Sequence, residues 1–465
     1  AVGDLDGNGV EDFIVGSASR YSPTLFFQGE DGSFRESELY TTDEEKVHEE
    51  ESIALFDLDN DGDLDMYLVS GSNEFLNPTT EQVDVLLINN GKGKFTPAPQ
   101  LMPEVKASGS VVVAQDFDAD GFTDLFVGGR TPMGAFPTVE NSFLLKNEHG
   151  KLVDVTDAYA KDLRKAGMLT DATWADVNGD NKPDLIVVGE LMPVTIFINT
   201  GSSFNKMQST GLDEYLGWWE SVTVSDFDGD GDMDLIVGNM GANNFYHPSR
   251  EHPVTVLAKD FDKNGAIDPI YFAYLKDKDG EFKSFPVHFW STMNQQSPIF
   301  RKKFKLYKEY GEVTQEELFT PQQLEGVMEL KGNYDRSSYI ENLGNGKFKM
   351  VALPPEAQLA PMNDIAVTDY NQDGNLDVLL VGNDYGNEKF IGSLDASNGL
   401  LLQGDGNGNF ISIPTYKSGF KASGDAKAIA KIKNKNGDDI FIVTQNRDSL
   451  LSYYPRLVKK QELEQ

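Results

Sequence analysis

The chain has 465 residues, with 40 Lys and Arg against 75 Asp and Glu, a formal net charge of −35. That balance argues against a nucleic-acid binder, which needs a basic footprint, and against docking on anionic membranes. Hydrophobic residues at 39% are enough for a large packed core, and the lack of cysteine removes disulfides and thiolate chemistry.

The chain opens at Ala1-Val2-Gly3-Asp4, inside a pattern that recurs downstream with a full strand before it. The expectation is a piece of a longer protein whose signal segment and other domains lie outside this chain. No apolar run approaches the roughly 20 residues that cross a bilayer, so no membrane insertion by this chain is expected.

A nine-residue pattern, Asp or Asn at positions 1, 3 and 5 and Asp at 9, occurs seven times. The first copy carries Asp4, Asp6, Asn8 and Asp12, the second Asp57, Asp59, Asp61 and Asp65, the third Asp116, Asp118, Asp120 and Asp124. The fourth carries Asp176, Asn178, Asp180 and Asp184, and the fifth Asp226, Asp228, Asp230 and Asp234. The sixth carries Asp260, Asp262, Asn264 and Asp268, and the seventh Asp369, Asn371, Asp373 and Asp377. A further copy at Ile432-Lys433-Asn434-Lys435-Asn436-Gly437 keeps the turn and lacks the ligands.

This spacing describes an oxygen cage. Alternate residues of a tight loop turn their oxygens inward, a backbone carbonyl at position 7 adds one, and Asp at 9 closes a shell suited to Ca²⁺. Up to seven Ca²⁺ are expected. Position 6 must turn sharply, and it is Gly in six copies and Asn181 in the other. Turn-forming composition alone accounts for one such loop, not for seven in one phase. An EF-hand is excluded, because its Glu at position 12 is replaced by Val15, Leu68, Val127, Val187, Val237, Phe272 and Leu380.

Most loops lead into a short apolar run ending in Gly, such as Leu125-Phe126-Val127-Gly128, which reads as a buried strand. A third strand, a Gly-rich hairpin and a fourth strand starting at Phe follow, as at Gly93-Lys94-Phe95 and Gly346-Lys347-Phe348. The reading is all-β: a seven- or eight-bladed β-propeller of four-stranded antiparallel blades with a small helical insertion, one domain over residues 1–465.

Two spacings break the rhythm. Asp226 to Asp260 is short, so one blade lacks a strand or two motifs share a blade. Asp260 to Asp369 is long and leaves room for an insertion at about 276–336. Capping boxes at Thr314-Gln315-Glu316-Glu317 and Thr320-Pro321-Gln322-Gln323 place helices there, near 298–310 and 314–330. Arg301, Lys302, Lys303, Lys305 and Lys308 are either a solvated face or a contact for an acidic neighbouring domain.

The loop followed by an apolar-Gly strand resembles the FG-GAP or VCBS repeat, the calcium-loop propeller repeat also found in integrin α heads. The segments Ser337–Phe348 and Asp395–Leu402 resemble the large VCBS-repeat proteins of Bacteroidota-type bacteria. The resemblance implies export (to the periplasm, the outer cell surface or the medium) and a binding or scaffolding role, and it supplies no substrate.

No catalytic constellation stands out. His48-Glu49-Glu50-Glu51 lacks the second His of a zinc helix, and no Gly-x-Ser-x-Gly elbow occurs. Only His247 and His252 lie close together, and Trp218-Trp219 serves either sugar stacking or core packing. Residues just after the second strands converge near the channel on the face opposite the cation loops. There Arg20, Asn73, Glu74, Arg130, Glu190, Asn239, Asn243, Asn383, Tyr385 and Arg447 form a candidate ligand-binding face, or else are merely polar loops. Two readings stand: a calcium-binding, non-enzymatic interaction module presenting a propeller face to a protein or glycan, and a lyase-like polysaccharide-active enzyme with chemistry near the channel.

Overall fold

A segment such as Asp124–Gly129, apolar at every position between the aspartate and the glycines, can only be a strand covered on both faces. In the computed structural model all six of its residues are buried. The structure describes residues 1–40, 48–71, 83–388 and 391–455, so Asn73 and Glu74 lie outside the described residues.

The strands pair antiparallel within blades. Blade 1 holds Val2–Gly3, Asp12–Val15, Thr24–Gln28 and Phe34–Glu38; blade 2 holds Glu50–Phe56, Asp65–Ser70, Val85–Ile88 and Thr96–Pro97. Blade 3 holds Gly109–Gln115, Asp124–Gly129, Phe143–Asn147 and Leu152–Asp154; blade 4 holds Met168–Ala175, Asp184–Met192, Thr195–Asn199 and Phe204–Lys206. Blade 5 begins with Gly217–Ser225 and Asp234–Asn239 and is completed by Ser338–Asn342 and Phe348–Ala352. Blade 6 holds Met362–Thr368, Asp377–Gly382, Leu400–Gly404 and Phe410–Ile413, and blade 7 holds Ala426–Lys433, Asp439–Gln445 and Leu451–Tyr453.

The core is a ring of seven apolar wedges between neighbouring blades. Tyr67 and Leu86 of blade 2 meet Leu125 and Leu145 of blade 3, and Phe126 and Leu144 meet Leu185 and Phe197 of blade 4. Ile186 and Ile196 meet Trp219 and Leu235 of blade 5, Ile236 and Tyr339 meet Val378 and Leu380 of blade 6, and Leu379 and Leu401 meet Phe441 and Val443 of blade 7. The circle closes where Ile432, Ile440 and Ile442 pack on Phe13 of blade 1, while Ile14 and Leu25 meet Met66 and Leu68 of blade 2. First strands face one another around the centre.

Blade 5 meets blade 6 directly, so the sheet lying between its two halves in sequence is not on the ring. That sheet runs Phe282–Pro286, Asp268–Lys276, Val254–Lys259, Met328–Gly332. It carries the Asp260 loop, which explains both irregular spacings. The insertion therefore starts at Met240, not near 276, and the eight motif copies make seven blades plus one inserted sheet. Its helices are shorter than the two expected: Trp290–Gln296, Ile299–Lys303, Tyr307–Gly311, Gln315–Leu318 and Pro321–Leu324. Both capping boxes form, with the Glu317 carboxylate accepting from Thr314 N at 3.1 Å and the Gln323 amide oxygen accepting from Thr320 N at 2.9 Å. Pro321 and the extended backbone at Phe319 stop the helices from merging.

The insertion docks on blades 3 to 6. Trp218 stacks on Tyr246 at 6.1 Å and packs with Met168, Leu191, Val254 and Val256. Gly332 makes this approach possible, because a Cβ there would sit 2.2 Å from the Trp218 ring.

Candidate metal centres

Each loop is folded by its own carboxylates. At position 1, Asp4 accepts from Gly7 N at 2.8 Å and Gly9 N at 2.8 Å, and the equivalent bond to position 6 recurs in every copy, as from Gly121 N to Asp116 at 2.9 Å. At position 5, Asn8, Asp61, Asp120, Asp180, Asp230, Asn264 and Asp373 each accept from the amide two residues on. Two positions in each loop take left-handed backbone. Position 6 does so with φ +82 at Gly9 and +61 at Asn181, and position 4 with φ +59 at Ala119, +63 at Lys263 and +59 at Gln372.

Position 9 joins the loop to the blade. Asp124, fully buried, accepts from Phe117 N at 3.1 Å and from Asn147 N, at the end of the third strand, at 2.7 Å. Asp12, Asp65, Asp184, Asp234 and Asp377 repeat this with Gln28, Asn89, Asn199, Asn342 and Gly404. Burial pushes these carboxyls up, to about 7 for Asp124 and about 6 for Asp12, Asp65, Asp184, Asp234 and Asp377, with the amide donors offsetting part of the rise.

The oxygens suit a hard cation. Those of Asp4, Asp6 and Asp12, of Asp57, Asp59 and Asp61, of Asp116, Asp118 and Asp124, of Asp226, Asp228 and Asp230, and of Asp260, Asp262 and Asp268 come within 4.8 Å of one another. The copies at Asp176 and Asp369, with Asn178 and Asn371 at position 3, form no such carboxylate trio among the described residues. At position 3 one oxygen each of Asp6 and Asp118 is buried with no hydrogen-bond partner. Clustered carboxylate oxygens, some of them buried and unsatisfied, fit a hard cation of the Ca²⁺ or Mg²⁺ class.

Sequence reasoning missed a latch beside the loops. The Asn89, Asn147, Asn199 and Asn342 amides each donate to a carbonyl of their own loop and to one in the preceding blade's loop. Asn147 reaches Leu58 O at 2.8 Å and Thr123 O at 3.2 Å. The neighbouring loops of blades 1 to 5 are thus tied in series. The signal was present as an Asn recurring just before the Gly-containing hairpins of blades 2 to 5.

On the opposite face the candidate residues separate. Arg130 and Glu190 form an ion pair, Nε to Oε1 at 2.9 Å, so neither is a free loop side chain. Asn239 and Asn383 are fully buried and hold backbone, Asn239 accepting from Met240 N at 2.8 Å and Asn383 donating to Gly424 O at 2.8 Å. Asn239 and Asn383 are corrected from ligand-facing to structural contacts, because the strand ends they occupy leave amides and carbonyls to satisfy, whereas the ion-paired Arg130 still has 43% of its side chain exposed. Arg20, Asn243, Tyr385 and Arg447 remain exposed. Trp218 and Trp219 are core residues, with the Trp219 indole donating to Met192 O at 2.8 Å. His252 lies 4.7 Å from the rings of Tyr274 and Phe282, away from any carboxylate trio. Within the basic stretch, Lys303 binds Glu317 O at 2.8 Å.

No curated protein matches the chain. Among solved structures it is similar to the V. cholerae biofilm matrix protein Bap1, at 13% identity over 97% of this chain and 86% of that one, TM-score 0.38. It is also similar to BBS1N crystallised in complex with ARL6DN, at 9% identity over 98% of this chain and 91% of that one, TM-score 0.45. The FG-GAP-like repeat matches residues 4–68, 57–127 and 141–237, and the FG-GAP repeat matches residues 218–257. With cation-type loops between the first and second strands of blades 1 to 6 and of the inserted sheet, and with the repeats matched over these spans, the chain belongs to the FG-GAP repeat family.

Proposed function

We propose that this chain is a calcium-loaded, non-enzymatic interaction module of an exported protein, binding up to seven Ca²⁺ and presenting the face opposite its cation loops to a protein or glycan. The observation that carries this reading is the buried, unpartnered oxygen that each of Asp6 and Asp118 holds within its carboxylate trio. Five protein oxygens on a flexible loop suit the irregular shell of Ca²⁺ better than the octahedron of Mg²⁺. Loops of this kind fill at the millimolar calcium found outside the cytosol, which agrees with the extracellular setting of many FG-GAP repeats. Among the described residues no helix is long and apolar enough to cross a membrane. On that face Tyr385, Arg447, Arg20 and Asn243 are exposed side chains that a partner would meet.

Chelation tests the calcium reading. Each ion bound only to the folded chain adds about 2.7 kcal/mol at a hundred times its dissociation constant. EDTA should lower the melting temperature markedly, calcium should restore it better than magnesium, and Asp228→Ala should lose one ion by mass spectrometry. Equal melting in EDTA and calcium, with no ion bound, would overturn the reading.

A further inference from the structure

The residue just before the amide that donates to position 9 at the close of the third strand differs among blades 1 to 6: Phe27, Ile88, Lys146, Ile198, Glu341 and Gln403. At three of these places it bears on the loop beside it. Gln403 accepts from the Tyr370 hydroxyl at 3.4 Å, and Glu341 lies within electrostatic reach of Asp228. Lys146 goes further. Its ammonium is bonded to Asp118 and lies 3.0 Å from Asp120, the position-3 and position-5 carboxylates of the third loop. Only 18% of its side chain is exposed, against 12% for Asp118.

The carboxylates respond to it. In the other two loops that carry four carboxylates, the gathered oxygens belong to positions 1, 3 and 5. In the third loop they belong to Asp116, Asp118 and Asp124, and Asp120 stands outside the group, on the lysine. Among the described residues no other loop has a Lys or Arg bonded to its position-3 carboxylate.

We propose that Lys146 is a built-in competitor of the third loop's cation: it takes up carboxylate charge the ion would use, so this loop binds calcium more weakly than the other four-carboxylate loops and holds its shape without it. This rests on the calcium reading above. An ammonium about 5 Å from a dication, screened as in water, weakens binding on the order of tenfold. The same ammonium relieves the repulsion among four clustered carboxylates, which the ion relieves in the other loops.

The test is a calcium titration of the chelator-stripped full chain, wild type against Lys146→Gln, with bound ions counted by native mass spectrometry and affinities read by calorimetry. Gln is the residue found at this place in blade 6. One wild-type binding step should be weak, should tighten on the order of tenfold in Lys146→Gln, and should vanish when Asp116→Asn is added. In EDTA, Lys146→Gln should melt below wild type. Superimposable titrations, or weaker binding by the variant, with the other loops filling normally, overturn this inference alone. A chain that takes up no calcium at any loop overturns the calcium reading and this inference with it.

Discussion

Truncating the latch at Asn147 should cost more stability than any exposed polar substitution in the chain. Asn147→Ala keeps the backbone donor to Asp124 but removes the amide that serves Leu58 O at 2.8 Å and Thr123 O at 3.2 Å, and the oxygen that accepts from Gly150 N at 2.8 Å. Asn147 is fully buried, so the Leu58 and Thr123 carbonyls lose a donor where little water can replace it. At about 1–3 kcal/mol for each orphaned group, the loss is about 3 kcal/mol in all. Unfolding entropy near 2.1 cal/mol/K per residue makes each kcal/mol worth about 1 °C in a chain of this size, so the melting temperature should fall by about 3 °C. Calorimetry in saturating calcium reads this, with Asn205→Ala as the control. Asn205 sits on an outer strand, exposed, and its side chain donates to the Ser203 hydroxyl at 3.3 Å. If the two variants melt together, the latch carries no stability and the reasoning fails.

Asp84, buried beneath Tyr67 and Ser70, has its carboxyl pushed up to about 7 by desolvation, which outweighs the two hydrogen bonds it accepts. A folded pKa above the unfolded one means that the native state holds the extra proton, so its contribution is full below about pH 4 and is lost as pH rises toward 7. Asp84→Asn should therefore show a smaller fall in melting temperature from pH 5 to pH 8 than wild type; parallel curves would refute this. Trp218→Ala empties the wedge between blades and insertion, a loss of about 3–5 kcal/mol for a buried tryptophan. Limited proteolysis should then cut within residues 240–336 while the ring persists, and an unchanged digest would show that the insertion is held elsewhere.

The ring was legible because its repeating parts are each dictated locally. Carboxylates in the 1, 3, 5, 9 phase, a turn at position 6 and an apolar run are requirements of the loop and of a strand covered on both faces, and they stand in one short window. The inserted sheet was not legible in the same way. Its Asp260 loop satisfies the same local requirements as the ring loops, and only the short distance from Asp226 hinted that it sits elsewhere. The ion pair of Arg130 and Glu190 was not legible either, since it joins residues 60 apart that sequence does not relate. The left-handed turn at position 4 was hidden as well, since Ala119, Lys263 and Gln372 carry no preference for it.

Placing the insertion between the second and third strands of blade 5 also has a kinetic side. Asn239 N–H donates to Ser337 Oγ across 98 residues of chain, and the ring closes through Gln28 and Lys433, which are 405 residues apart. Contacts so distant form slowly, because the loop they close must be ordered first. Blades 1 to 4 can assemble as the chain emerges, whereas blade 5 stays half-built until the insertion has folded and returned the chain to Ser338. A substitution that merely delays the insertion's own folding should therefore delay blades 5 to 7 as well, although it touches none of them.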